Sequence, residues 1–208
     1  MGIIFSATGN FKNACDALYD KALRAFYKFK RMQPQNNIRQ AIKLFDCLIS
    51  PILTYTSVIW GPLYAKNMTQ DTIYEICNDS PLERLNLKLC KFLLGVHGKS
   101  TNAAVRGEMG RYPLLINVLN LANRYHMRVR SLDSDSLVKL SCMDQFIQDY
   151  EGSWTSIMDK LYMNFYGNQS LKEKLEELYC EKWLSYINSC HSKGKLSVYA
   201  NIKKLIQT

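Results

Sequence analysis

Apolar residues recur at three- and four-residue steps through most of the chain, which is the period of amphipathic helices. The first run spans Phe11 to Arg31 and ends before Pro34, because a residue that precedes proline disfavours helix. A second run, from Ile38 to Trp60, is apolar nearly all round after Leu44. We expect that helix to be buried on most sides, and Pro51 to kink it or split it in two.

Sequence motifs that are typical of helix starts predict where several of the later helices begin. Ser80-Pro81-Leu82-Glu83 has Ser at the cap, Pro at the first helical position and Glu three residues on, which predicts a capping box. Ser170 with Glu173 predicts a second box, and Ser153 is expected to cap a helix that ends at Gly167. The remaining predicted helices are Asn102–Glu108, Pro113–Arg130, Asp135–Tyr150 with Leu137, Leu140, Ile147 and Tyr150 buried, and Leu196–Ile206.

These elements predict an all-α fold with one short strand, Gly2 to Ser6, at its N-terminus. We expect residues 1–9 to be the end of a preceding domain, because a lone strand needs a partner that this chain does not clearly supply. Residues 10–95 are predicted to form a helical bundle and residues 96–208 a helical extension. A break is expected near 131–136, where the charge balance changes.

Positive charge is concentrated in the first part of the chain. Residues 1–70 carry nine Lys and Arg against three Asp and Glu, residues 71–130 nine against five, and residues 131–208 nine against ten. This asymmetry favours the interpretation that residues 1–130 face a polyanion. The alternative is that the charges only keep the surface solvated.

Three groups of cations recur at helical or near-helical spacing, which lets a helix follow a phosphate backbone. Tyr27 and Tyr112 lie beside them in sequence and could stack on a base or pack in the interior. The candidate nucleic-acid-binding residues are Lys21, Arg24, Lys28 and Arg31, then Arg84, Lys88 and Lys91, then Arg106, Arg111, Arg124 and Arg128.

The sequence contains no recognisable catalytic or metal-binding pattern. The chain has no Asp-Asp pair, no Gly-x-Ser-x-Gly motif and no Gly-Lys-Ser loop, so we expect no enzyme activity, no cofactor and no small-molecule substrate. Seven scattered cysteines without a Cys-x-x-Cys pair favour a reducing compartment, cytoplasmic or nuclear, and no zinc site. His126 is expected to be structural.

The segment Leu44–Leu63 contains Asp46 and Pro51, which favours a buried, kinked helix over a membrane span.

Several blocks occur in the order and at the spacing of a known family. They are Met1–Phe11, Leu44–Asp46, Pro51–Tyr55, Ile59–Gly61, Leu94–Val96, Asn102–Gly110 and Arg111–Leu114. The first is similar to the Tyr-Leu-Gly strand and Gly-x-Phe turn that end the palm of LINE-type reverse transcriptases. Together the blocks make residues 2–130 resemble the thumb and downstream region of a non-LTR (LINE-type) retrotransposon reverse transcriptase.

The resemblance implies that residues 10–95 form the helical thumb that grips RNA or an RNA–DNA template–primer duplex. It also implies that the palm and fingers are missing partners, and that the catalytic aspartates lie upstream of Met1. The Cys/His knuckle of some relatives is absent. We therefore expect a non-catalytic fragment that binds nucleic acid. The alternative is an inert remnant of a truncated copy, with apolar surface where the palm once packed.

Overall fold

A computed structural model of the chain describes residues 2, 4, 11–32, 37–148, 152–165, 170–189, 196 and 199. The predicted N-terminal strand and the predicted last helix, Leu196–Ile206, lie outside the described residues apart from isolated positions. The regular elements in the described part are all helical, so the predicted all-α fold class is confirmed there.

Most helices follow the predicted periodicity, but a short helix also forms at Ile73–Asp79, where none was predicted. In chain order they are α1 (Lys12–Met32), α2 (Ile38–Leu48), α3 (Ser50–Leu53), α4 (Ser57–Trp60), a 3₁₀ helix (Gly61–Ala65), α5 (Ile73–Asp79), α6 (Pro81–Leu93), α7 (Asn102–Met109), α8 (Leu114–Arg130), α9 (Leu137–Ile147), α10 (Trp154–Phe165) and α11 (Leu171–Ser189).

The chain divides into two compact units that alternate along the sequence. The first unit comprises the described residues of Met1–Thr56, Ser80–Arg111 and Cys190–Thr208, and the second those of Ser57–Asp79 and Tyr112–Ser189. These units do not follow the predicted boundary at 95/96, because the chain leaves the first unit at Ser57 and returns to it at Ser80. The charge change at 131–136 falls inside the second unit and marks no break.

The first unit is built on α1, which packs against α3 and α6. Phe26 of α1 is at the centre of this core. Its ring meets Phe45 of α2 edge-on at 6.4 Å and Phe92 of α6 edge-on at 6.3 Å between centroids. Such edge-to-face contacts add to the free energy gained by burying the rings. The apolar stripe of α1 therefore faces inward, as its period predicts.

The second unit is centred on α8, which packs against α4 and α11. Gly61 allows this approach, since a methyl group placed on it would lie 2.2 Å from Val118 Cγ1. The unit is also joined by a long-range hydrogen bond, in which the Trp154 indole donates to the Val58 carbonyl at 2.8 Å. Trp60 and Trp183 are fully buried and supply much of its apolar interior.

Pro51 interrupts the second predicted helix, as expected. Helix α2 ends at Leu48, and Pro51 stands in the first turn of α3, where its missing N–H is tolerated. A further break follows at Thr56, which has a φ of 54°. In the described part of the chain no single helix is long and apolar enough to cross a membrane, although the bent pair Ile38–Leu53 and Ser57–Ala65 meets that criterion together.

The helix caps confirm two of the three sequence signals. Ser170 and Glu173 form a reciprocal capping box at 3.1 and 3.3 Å, and Ser153 Oγ accepts from the Ser156 N–H. Helix α6 does begin after Ser80, but without a side-chain cap, and the buried Ser80 hydroxyl has no hydrogen-bond partner within the described ranges. Glu83 is turned inward instead, so the predicted capping box at α6 is wrong.

Helix α9 differs most from its prediction. It forms within the expected range, but none of its residues is buried, and Leu137 and Ile147, which were predicted to be core, are 83% and 75% exposed. The helix is apolar nearly all round, so its sequence does not distinguish a core-facing side from a solvent-facing one.

Candidate nucleic-acid interface

The strongest cationic surface lies on α1. Lys21, Arg24, Lys28 and Arg31 are all exposed. At 3.6 residues per turn they fall within an arc of about 80° and extend about 15 Å along the helix. We call these four residues the α1 cationic face. It is separate from the apolar stripe, because Ala22, Phe26 and Phe29 point into the core.

The charges of the α1 cationic face are not neutralised by any residue in the described part of the chain. Among the described residues, no carboxylate lies within 4.0 Å of any of the four side chains. Tyr27 lies on the same side of the helix and is 51% exposed. A polyanion could therefore approach these cations without first breaking an ion pair, and Tyr27 offers an aromatic ring for stacking.

The cations of α6 belong to the same unit, but they contact α1 on a different side from the α1 cationic face. Lys88 Nζ donates to the Tyr19 hydroxyl at 3.1 Å, and Tyr19 lies about 160° round the helix from Lys21. Arg84 is exposed. Lys91 Nζ donates to the Gly98 carbonyl at 2.7 Å, and burial lowers the pKa of its ammonium. The α6 group is therefore not continuous with the α1 cationic face.

Arg106 was predicted to bind nucleic acid, and that prediction is wrong. Its side chain is 1% exposed, and Nη2 lies 2.8 Å from Glu83 Oε2, whose side chain is fully buried. Asn86 Nδ2 donates to the same carboxylate oxygen at 3.0 Å. Because solvent does not reach the guanidinium, a phosphate cannot reach it either, and the role of Arg106 is to neutralise a carboxylate inside the first unit.

Arg111 is also occupied by protein partners. Its guanidinium donates to both carboxylate oxygens of Asp46, at 2.8 and 3.1 Å, and its Nε donates to Asn86 Oδ1. It also lies over the Phe45 ring at 5.8 Å. Burial opposes its charge, but the hydrogen bonds and charge of Asp46 outweigh that effect and raise its pKa. The predicted phosphate contact is not supported, since a bidentate carboxylate already fills the guanidinium fork.

Arg124 and Arg128 belong to the second unit, where both are exposed on one side of α8. They are four residues apart and so lie one above the other on the helix surface. Tyr112, by contrast, packs edge-on against Tyr179 at 6.4 Å, and burial raises the pKa of its hydroxyl. Tyr112 is half-buried in this contact, which favours a packing role over stacking on a base.

A further pair of cations, which was not among the predicted contacts, lies on α2. Arg39 and Lys43 are both exposed and four residues apart, so they lie on one side of the helix. In the described ranges no group of three or more His, Cys, Asp and Glu side chains could hold a metal ion.

Comparison with protein-family models finds no family that matches this chain, and neither a curated protein nor a solved structure matches it. The resemblance to a reverse transcriptase thumb therefore remains a prediction from the sequence blocks.

Proposed function

We propose that the chain binds the phosphate backbone of RNA, or of an RNA–DNA duplex, through the α1 cationic face and without base specificity. The observation that carries the proposal is that four exposed cations share one side of α1 and none is paired with a described carboxylate. Along a duplex, about 15 Å corresponds to roughly four phosphates of one strand, which equals the number of cations.

In this proposal the chain grips nucleic acid and performs no chemistry. The role agrees with the resemblance to the thumb and downstream region of a LINE-type reverse transcriptase, in which the missing palm would carry the catalytic aspartates. Arg124 and Arg128 of the second unit, and Arg84 and Lys88 of α6, offer further backbone contacts. Arg106 and Arg111 take no part, because carboxylates already hold them.

Salt dependence gives the first test. If the four cations each neutralise one phosphate, the affinity for a labelled RNA–DNA hybrid should fall roughly 50- to 150-fold between 50 and 200 mM salt. Fluorescence anisotropy titrations at several salt concentrations measure this slope. A flat salt dependence would exclude backbone-directed binding of this kind.

Charge reversal locates the interface. The variant Arg24→Glu/Lys28→Glu should lose at least tenfold more affinity than the control Arg39→Glu/Lys43→Glu. The control has the same four-residue spacing, helix exposure and change in net charge within the same unit. The slope of log affinity against log salt should also become shallower, by the equivalent of about two phosphate contacts, in the first variant alone. Equal losses in both variants would show that binding follows net charge and not the α1 cationic face.

One observation favours the alternative that the chain is an inert remnant. Phe146, Ile147 and Leu137 of α9 are at least 70% exposed, as expected for a surface that has lost a packing partner. In that case the chain should elute from size-exclusion chromatography as aggregates and bind the hybrid no better than the Arg24→Glu/Lys28→Glu variant does. A monomeric elution with salt-sensitive binding would exclude the alternative.

A further inference from the structure

The second unit contains an open cavity of about 270 Å³ that is lined by residues of α8, α9 and α10. Its apolar wall is formed by Val129 of α8 with Met143, Phe146 and Ile147 of α9. Phe146 and Ile147 are 70% and 75% exposed even though they line it. Apolar side chains that line an open cavity leave area in water that an apolar ligand would cover, and such concave apolar sites are where small molecules bind.

The cavity has a polar end with an excess of positive charge. Arg130, Lys139 and Asp159 line it. Arg130 is paired with the Asp159 carboxylate but is still 54% exposed, so part of its guanidinium remains accessible. Lys139 Nζ uses one N–H on the Leu132 carbonyl, at 2.6 Å, which leaves two N–H groups of the ammonium for another acceptor. Two cations against one carboxylate favour a ligand with a single negative charge.

His126 is the most deeply buried polar side chain of the cavity lining. It lines the cavity and is 2% exposed, and its Nδ1 has no hydrogen-bond partner among the described residues. Its Nε2 lies 3.5 Å from Asp159 Oδ1. Because a water-sized probe does not reach this nitrogen, a ligand in the cavity does not reach it either, and the polar contacts of the ligand fall to Lys139 and Arg130.

We infer that this cavity binds a small amphiphilic monocarboxylate, with its apolar chain along Met143, Phe146 and Ile147 and its carboxylate near Lys139 and Arg130. The size follows from comparison with a dry cavity of about 150 Å³, which holds benzene; a cavity of about 270 Å³ then takes roughly ten to twelve non-hydrogen atoms. Decanoate has this size and chemistry. The inference is independent of nucleic-acid binding, because it concerns the second unit and uses none of the α1 cationic face.

Calorimetric titration of the full chain with decanoate tests the inference, with decanol and decylammonium as ligands of equal length. We expect saturable binding of decanoate that is at least tenfold tighter than binding of decanol, and tighter still than binding of decylammonium. Butyrate, which cannot fill the cavity, should bind more weakly than decanoate. No saturable heat with decanoate up to about 1 mM, or equal affinity for decanoate and decanol, would overturn the inference.

Two variants locate the ligand. Lys139→Met keeps an apolar side chain but removes the charge. It should therefore weaken the binding of decanoate at least tenfold and leave the affinity for decanol unchanged. Phe146→Ala should weaken both ligands, whereas the matched control Leu137→Ala, on the same helix but outside the cavity wall, should bind like wild type. Circular dichroism checks that each variant is folded. Equal binding by Phe146→Ala and Leu137→Ala would place the ligand elsewhere and overturn the assignment.

Discussion

Arg106 Nη2 lies 2.8 Å from Glu83 Oε2, and the two side chains, on α7 and α6, are both buried. The charges are satisfied further by Asn86, which donates to Glu83, and by the Arg111 carbonyl, which accepts from Arg106 Nη1 at 3.3 Å. A buried charge is tolerated only when its partners are in place. The pair therefore fixes how α7 packs on α6 in the first unit.

Removing one member of this pair should destabilise the protein strongly. Arg106→Met leaves the Glu83 carboxylate buried without its counter-charge, which costs about 3–5 kcal/mol of unfolding free energy. The double variant Glu83→Leu/Arg106→Met removes both charges and should be more stable than Arg106→Met alone. Urea unfolding followed by circular dichroism measures both free energies.

The control for this prediction is the exposed pair Lys172–Glu176 on α11, at 3.5 Å. Lys172→Met removes the same kind of charge from a solvated pair and should cost less than about 1 kcal/mol. A similar cost for Lys172→Met and Arg106→Met would show that burial of the Glu83–Arg106 pair has no energetic consequence.

Gly61 should not tolerate a side chain. Gly61→Ala places a methyl group 2.2 Å from Val118 Cγ1, so α8 must shift away, at a cost of about 1–3 kcal/mol. Val118→Ala in the same chain removes the clash, so the double variant should lose less stability than the two single variants added together. Gly98→Ala is the control, since a methyl group there meets no neighbour within 4 Å. Thermal unfolding of the four variants tests the contact, and additive losses would contradict it.

The cysteines should differ sharply in reactivity. Cys47 is exposed, whereas Cys15, Cys77 and Cys90 are buried. Burial raises the pKa of the Cys90 thiol to about 11, so almost none of it is thiolate at neutral pH. At pH 8 an aromatic disulfide reagent should label Cys47 rapidly and the three buried thiols only after denaturant is added. Mass spectrometry of digested protein identifies the labelled positions; rapid labelling of Cys90 in the native protein would contradict the burial.

Stability should fall with acidification because of His126. Burial lowers the pKa of its imidazole in the folded protein, and this effect exceeds the opposing influence of Asp159. The unfolded chain, with a pKa of about 6.5, then takes up the proton first. The contribution of His126 to the free energy of unfolding is therefore fully present above about pH 6.5, and it is lost as the pH falls toward the pKa of the folded state.

Thermal unfolding between pH 7.5 and pH 5 checks this linkage. The melting temperature of wild type should decrease more steeply than that of His126→Gln, which lacks the titrating group. His97→Gln, a substitution of an exposed histidine, serves as the control and should keep the wild-type slope. Identical slopes for wild type and His126→Gln would contradict the assigned direction.

Local chemistry explains why the helices could be predicted from the sequence. The period of Ala22, Phe26 and Phe29 placed α1, and Pro51 placed the break after α2, because both act over a few residues of one helix. The α1 cationic face was predictable for the same reason: residues three and four apart must share a side of a helix.

Contacts between helices could not be predicted from local sequence patterns. Arg106 and Arg111 have the same charge as Arg24, but Glu83 and Asp46, which neutralise them, lie 23 and 65 residues away in the chain. Glu83 satisfied the capping-box pattern, and nothing local showed that it would turn inward. The cavity beside His126 could not be predicted either, because apolar residues are spread round α9 and do not mark one face of it.

The sequence by itself determined the helical class, most helix boundaries and the row of cations on α1. The tertiary structure alone decided which cations reach solvent, how the chain alternates between two units and where a cavity opens. The reason is physical: helix periodicity depends on neighbours within one or two turns, whereas the cost of burying a charge is decided by partners that only folding brings close.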